Sequence, residues 1–174
     1  MTRIERLILA NQFAILEKVD PREGKWHAEA RDIVESGYEL MYDKLFRSIS
    51  NDTLTEPECD EINRIMLMHS HLKEAYDALP DKTEVEAPRF EGFDGNGEHK
   101  LLSFAQFLCN LRGGFRDIVP GEHVPNSHSE RLPIYRRMME VYDAIPRGPD
   151  DRRKITKDDI KRIMAARIHP SMRK

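Results

Sequence analysis

The sequence predicts an all-α protein. Apolar residues recur at helical spacing in about six segments, and capping residues or prolines mark the ends of several of them. No segment shows the alternation of a strand or the turn signature of a hairpin. With 174 residues, the chain has the length of one ordinary domain. We therefore expect a single domain, residues 1–174, of about six helices around a central uncharged helix at about 99–112.

The first helix is predicted over about residues 2–18, before Asp20 and Pro21. It carries two apolar stripes, and two stripes imply burial on two sides. One stripe comprises Ile4, Leu7, Ile8, Ile15 and Val19, and the other comprises Leu9, Phe13 and Leu16.

The second helical pattern starts near Lys25, and Gly37 in its middle is expected to kink or split it. The third helix is the best defined, because Thr55 and Glu58 form a capping-box pattern before its apolar stripe. His69 lies on this stripe, where we favour a hydrogen-bonded core histidine over a ligand.

The fourth helix contains the uncharged segment LLSFAQFLCNL at residues 101–111. A helix that is apolar nearly all the way round is typical of the centre of a fold or of an oligomer interface. Pro133 suits the first turn of a fifth helix, and Thr156 with Asp159 opens a sixth.

Composition indicates a globular protein, with 39% hydrophobic and 34% charged residues. The two cysteines, Cys59 and Cys109, are far apart, which favours free thiols in a reducing compartment. The N-terminal segment has no secretory pattern, and no apolar run has the length of a membrane span. We therefore expect a cytoplasmic protein that does not contact a membrane.

The net charge of −3 is unevenly distributed, because residues 152–174 carry nine Lys and Arg against Asp158 and Asp159. This basic C-terminal end allows two interpretations: it contacts the phosphates of a nucleic acid, or it neutralises the acidic remainder of the chain. We favour neutralisation, since no aromatic residues lie between the charges. The candidate phosphate contacts are Arg152, Arg153, Lys154, Lys157, Lys161, Arg162 and Arg167.

The loop RFEGFDGNGE, residues 89–98, is the most informative segment. Asp94, Asn96 and Glu98 match the first, third and fifth positions of an EF-hand loop. His99 then stands where that loop needs glycine, and Ala105 stands where it needs a bidentate glutamate. We favour a structural turn, with Gly95 and Gly97 supplying a permissive backbone and Asp94 capping it.

Polar loop residues remain a candidate site for metal-assisted hydrolysis, the least favoured of our hypotheses. The candidates are Asp94, Glu98, His99, His123 and His128. The sequence contains no HExxH, CxxC or GxSxG motif and no phosphate-binding glycine loop. We therefore assign no catalytic residue, metal or cofactor, and the class of any small-molecule ligand is unknown.

The leading functional hypothesis is a homo-oligomeric interaction or adaptor protein without catalytic activity. The first and fourth helices carry more apolar surface than one face of a monomer core requires. The expected interface residues are Leu9, Phe13, Leu16, Leu102 and Phe107.

Four blocks of the sequence carry a resemblance to a known family. They are ERLILANQ, SGYELMYDKLF, the RFEGFDGNGE loop with its apolar helix, and PIYRRMMEVYDAIP. In order and spacing the chain resembles the YfbU-like family of small bacterial proteins, from about Thr2 to Ala166. The resemblance implies a multihelical fold and supplies no established activity or catalytic residues. Residues 167–174 lie beyond it.

Overall fold

The computed structural model describes residues 1–148, 153–169 and 171, in two compact units, residues 1–53 and 54–174. The described residues form seven α-helices and one 3-10 helix, and their only β-type pairings are two isolated bridges. The predicted all-α class is confirmed. The expectation of a single domain stays a prediction. No helix in the described ranges is both long and apolar enough to cross a bilayer.

The first unit comprises helix α1 (Arg3–Val19), α2 (Gly24–Ser36), a 3-10 turn (Glu39–Met41) and α3 (Tyr42–Leu45). Thr2 and Glu5 form a capping box at the start of α1. Gly37 adopts the left-handed conformation, with φ of 73°, and ends α2. The expected split of the second helical segment therefore occurs at this glycine.

Helix α1 packs against α2 through the smaller of its two apolar stripes. Ala10 and Phe13 are buried and Leu9 is half-buried, beside Ala30 and Val34 of α2. The larger stripe remains exposed to solvent, from 55% to 72% by residue, and comprises Ile4, Leu7, Ile8, Ile15 and Val19. The two-sided burial expected for α1 is therefore not seen within this unit.

The second unit comprises α4 (Glu56–Asp77), α5 (His99–Asn110), α6 (Leu132–Asp143) and α7 (Lys157–Ala165). Capping boxes start α4 at Thr55 and α7 at Thr156, as predicted. The centre of this unit differs from the expectation. Helix α4 packs against α5, α6 and α7, and four of its side chains have no exposed surface. Helix α5, which contains most of the uncharged segment, buries only Ala105 and Cys109 fully.

An aromatic cluster fills the core of the second unit. The ring of His69 lies 5.2 Å from that of Phe90 and 5.0 Å from that of Tyr135, measured between centroids. Phe93 packs edge-on against both Phe90 and Tyr135. His69 is buried as expected, but neither of its ring nitrogens has a hydrogen-bond partner among the described residues. Burial, with a smaller contribution from the charge of Arg167, lowers the pKa of His69 to about 3.

The buried imidazole predicts sensitivity to mild acid. Above pH 6.5 His69 is neutral in both states, and between pH 6.5 and 3 only the unfolded state takes up the proton. Lowering the pH from 6.5 to 5 therefore decreases the unfolding free energy of the wild-type protein by about 1.5 kcal/mol. Urea unfolding at the two pH values should not show this decrease for the variant His69→Leu. The exposed control His123→Leu should behave as wild type. Equal pH dependence of all three proteins would contradict the assignment.

Candidate functional site

Glu98 joins the 89–98 loop to the start of α6. Its buried carboxylate accepts hydrogen bonds from the backbone N–H of Asp94 at 2.9 Å, of Arg131 at 3.0 Å and of Leu132 at 2.7 Å. Arg131 caps the start of α6 and Leu132 is its first residue, where a helix has unpaired N–H groups and favours a negative charge. The carboxylate of Glu98 is therefore occupied by backbone donors.

Asp94 is also used by the backbone of its own loop. Its carboxylate accepts hydrogen bonds from the N–H of Asn96 at 3.2 Å and of Gly97 at 3.0 Å. The side chain of Asn126 accepts from Gly95 and His128, each at 3.0 Å, and so links the loop to the segment before α6. These contacts are those of a structural turn.

The first half of the 89–98 loop lies against the backbone of Pro125. Gly92 has φ of 75°, and a Cβ atom there would lie 1.7 Å from the carbonyl oxygen of Pro125. The phenol of Tyr135 donates to the Gly92 carbonyl at 2.9 Å and accepts from the Glu91 N–H at 3.2 Å. Burial raises the pKa of Tyr135, so the phenol keeps its proton at neutral pH.

The three candidate histidines lie on the surface of the second unit. His99, His123 and His128 are exposed. Within the described ranges, no group of three or more His, Cys, Asp or Glu side chains is placed to hold a metal ion. The geometry therefore gives no support to a metal centre at these residues, and the expectation that the protein carries no metal stays a prediction.

The basic C-terminal end is largely paired with acidic residues of the same unit. Lys157 contacts Asp81 at 2.6 Å, and Lys161 contacts Glu84 at 3.4 Å. Arg167 contacts Glu86 at 3.1 Å and Glu91 at 2.6 Å.

Two of the remaining basic candidates also form ion pairs with acidic residues. Arg153 pairs with Asp143 at 3.0 Å and Arg162 with Asp159 at 3.4 Å. Lys154 is exposed, and Arg152 lies outside the described residues. The arrangement favours charge neutralisation over a phosphate-binding surface.

The candidate interface residues are distributed between core and surface. Phe13 is only 8% exposed and belongs to the core of the first unit, while Leu9 and Leu102 are half-buried. Leu16 and Phe107 are exposed. The larger stripe of α1 is visible in the sequence, but its exposure is not what the sequence predicted, and none of its five residues was among the expected interface residues. Asn11 could have revealed it, because this polar residue lies in line with Ile4, Ile8 and Ile15 at helical spacing.

The fold and these contacts define an all-α protein whose polar loop is fixed by backbone hydrogen bonds. The chain belongs to the YfbU family, since the family model of the YfbU domain matches residues 1–166. The resemblance carried by the four sequence blocks is thereby confirmed, over nearly the same residues.

The role of Glu98 can be tested by Glu98→Gln. Glutamine has one acceptor oxygen, and its NH₂ group would face backbone donors, so we expect the unfolding free energy to fall by about 1–3 kcal/mol. The control Glu130→Gln changes an exposed carboxylate on the segment before α6 and should have little effect. Chemical denaturation measures both, and equal stabilities of the two variants would contradict the structural role.

The close approach at Gly92 predicts that Gly92→Ala is strongly destabilising, by about 2 kcal/mol or more, because a positive φ and a backbone clash coincide. The matched control is Gly121→Ala, since a Cβ at Gly121 meets open space. Thermal denaturation compares the two alanine variants. A Gly92→Ala protein as stable as the control would show that the loop does not adopt this conformation.

Proposed function

We propose that the protein is an interaction protein that works as a homo-oligomer, and that the exposed stripe of α1 forms its interface. The observation that carries the proposal is the exposure of this stripe and of the neighbouring Leu16. We name these six residues the α1 apolar face: Ile4, Leu7, Ile8, Ile15, Leu16 and Val19. An exposed apolar face of this kind is typical of a protein interaction site.

The spacing of the α1 apolar face favours a second copy of the chain as its partner. The six positions are symmetric about the point between Asn11 and Gln12: Ile4 mirrors Val19, Leu7 mirrors Leu16, and Ile8 mirrors Ile15. Two α1 helices that meet antiparallel around a two-fold axis at this point place these apolar residues opposite each other on both sides of a central polar level, Asn11 and Gln12. Such an isologous contact is the usual interface of a homodimer.

The area of the α1 apolar face is small for a stable dimer. A helix of 17 residues is about 25 Å long and roughly 10 Å wide. Its face therefore offers a few hundred Å², against about 800 Å² per partner in a standard interface. Exposed apolar residues elsewhere in the first unit, Leu40 and Ile49 among them, add to this area. A cleft of about 460 Å³ lined by Ile8, Leu9 and Phe46 offers space for a partner's side chain.

The proposal predicts that Ile15→Asp dissociates the oligomer. Ile15 is 55% exposed, so a charge there leaves the core intact while it places a desolvated carboxylate in the interface. We expect sedimentation velocity at micromolar concentration to show an oligomer for wild type and a monomer for Ile15→Asp, with unchanged helical circular dichroism.

The matched control is Phe107→Asp, which changes an exposed apolar residue of α5 in the second unit. This variant should remain oligomeric. A monomeric wild-type protein would refute the proposed function. Dissociation by Phe107→Asp alone would move the interface from α1 to α5.

A further inference from the structure

The cleft of about 460 Å³ in the first unit adjoins one side of the α1 apolar face. Ile8 and Leu9 line this cleft from α1, Met1 lines it from the chain end, and Phe46 lines it from the end of α3. Ile8 belongs both to the cleft and to the α1 apolar face, so the two surfaces are continuous. A partner that covers the face therefore also reaches the cleft.

The fifth lining residue, Glu5, is charged, but its carboxylate is engaged at the start of α1. It accepts a hydrogen bond from the Thr2 N–H at 2.6 Å, and the Thr2 hydroxyl accepts from the Glu5 N–H at 3.2 Å. These are the two hydrogen bonds of the capping box. The other four lining residues are apolar, so the cleft is suited to an apolar side chain.

One row of residues along α1 contains both the wall of the cleft and a candidate occupant. Glu5, Leu9, Gln12 and Leu16 follow each other at intervals of four, three and four residues. Residues at these intervals lie on the same side of a helix. Leu16 is therefore in line with the cleft, about 10 Å further along α1 than Leu9. Its own chain leaves it 38% exposed.

The two-fold axis of the proposed homodimer brings this row against the same row of the second copy. The axis lies between the two helices and perpendicular to both, so residues on one side of the contact stay on that side. It passes between Asn11 and Gln12, and the numbers of two residues at one level therefore add up to 23. Leu16 of one copy is thus level with position 7 of the other, midway between Glu5 and Leu9.

We propose that Leu16 of each copy inserts into the cleft of the other copy, between Glu5 and Leu9 and against Phe46. The inference rests on the proposed homo-oligomer and names the contact that fixes the register of its two helices. A side chain seated between residues of a facing helix is the packing unit of coiled coils. The two-fold axis repeats the contact, so each dimer contains two of them.

The insertion supplies what the α1 apolar face lacks. The face alone is small beside the roughly 800 Å² per partner of a standard interface. The cleft adds buried area from Met1 and Phe46, which lie outside α1. A slip of the second copy by one helical turn would still bring apolar residues together, but it would move Leu16 out of the cleft. The insertion therefore selects one register.

The test is a double-mutant cycle on the dissociation constant of the full chain, measured by sedimentation equilibrium for Leu16→Ala, Phe46→Ala and the double variant. Each single variant should raise the dissociation constant about tenfold, because both remove the same two contacts. The double variant should also be weaker by about tenfold, and not by about a hundredfold. Within one chain Leu16 lies about 10 Å from the cleft along α1, so this non-additivity arises between copies.

The outcomes separate this inference from the proposed function. A monomeric wild-type protein would refute the proposed function and the insertion together. A dimer with additive effects, or one that Leu16→Ala leaves unchanged, would overturn the insertion and leave the homo-oligomer intact. The matched control is Leu67→Ala, which shortens a leucine of α4 with the same 38% exposure and should dimerise as wild type.

A disulfide cross-link gives a second measurement that retains its value if Phe46→Ala unfolds the first unit. A chain with both Leu16→Cys and Phe46→Cys should form a covalent dimer on oxidation, because the two positions meet between copies. Each single-cysteine variant also carries the native Cys59 and Cys109 and should stay monomeric on a non-reducing gel. A covalent dimer from Leu16→Cys alone, or none from the double variant, would contradict the proposed register.

Discussion

The buried carboxylate of Glu98 is the interaction on which the second unit depends. A charged group loses its hydration when it is buried, and only strong hydrogen bonds offset that loss. Glu98 obtains them from Asp94, from the capping residue Arg131 and from Leu132, the first residue of α6. Because Glu98 also precedes the first residue of α5, one side chain joins two helix starts and a loop. The loop can then lie close enough to Pro125 that only glycine fits at position 92.

This arrangement explains why the conspicuous polar residues of the 89–98 loop are poor candidates for chemistry. An irregular segment next to a core must still satisfy its backbone N–H groups, and carboxylate and amide side chains are the nearest acceptors. Asp94, Glu98 and Asn126 all serve in this way.

The second unit has a surface rich in ion pairs, whereas the first unit exposes apolar side chains. Ion pairs between the basic C-terminal end and residues 81–91 are largely solvent-exposed, so each adds little stability, although together they reduce the local charge. The first unit has the opposite character, because its longest helix exposes an apolar face. A unit of 53 residues buries a smaller fraction of its surface than a larger domain does, so its core contributes little stability. Association with a second copy would add to the buried area.

The sequence by itself determined the all-α class and the points where several helices begin or end. Capping boxes at Thr2, Thr55 and Thr156 and the glycine at position 37 act over about four residues, so a local pattern is enough to identify them. Only the tertiary structure decided which stripe of α1 is buried and that α4, not α5, is central. It also decided that Glu98 meets Arg131 and Leu132, 33 and 34 residues away in the chain. Contacts between segments that are distant in the sequence determine these features, and the periodicity within one segment carries no information about such contacts.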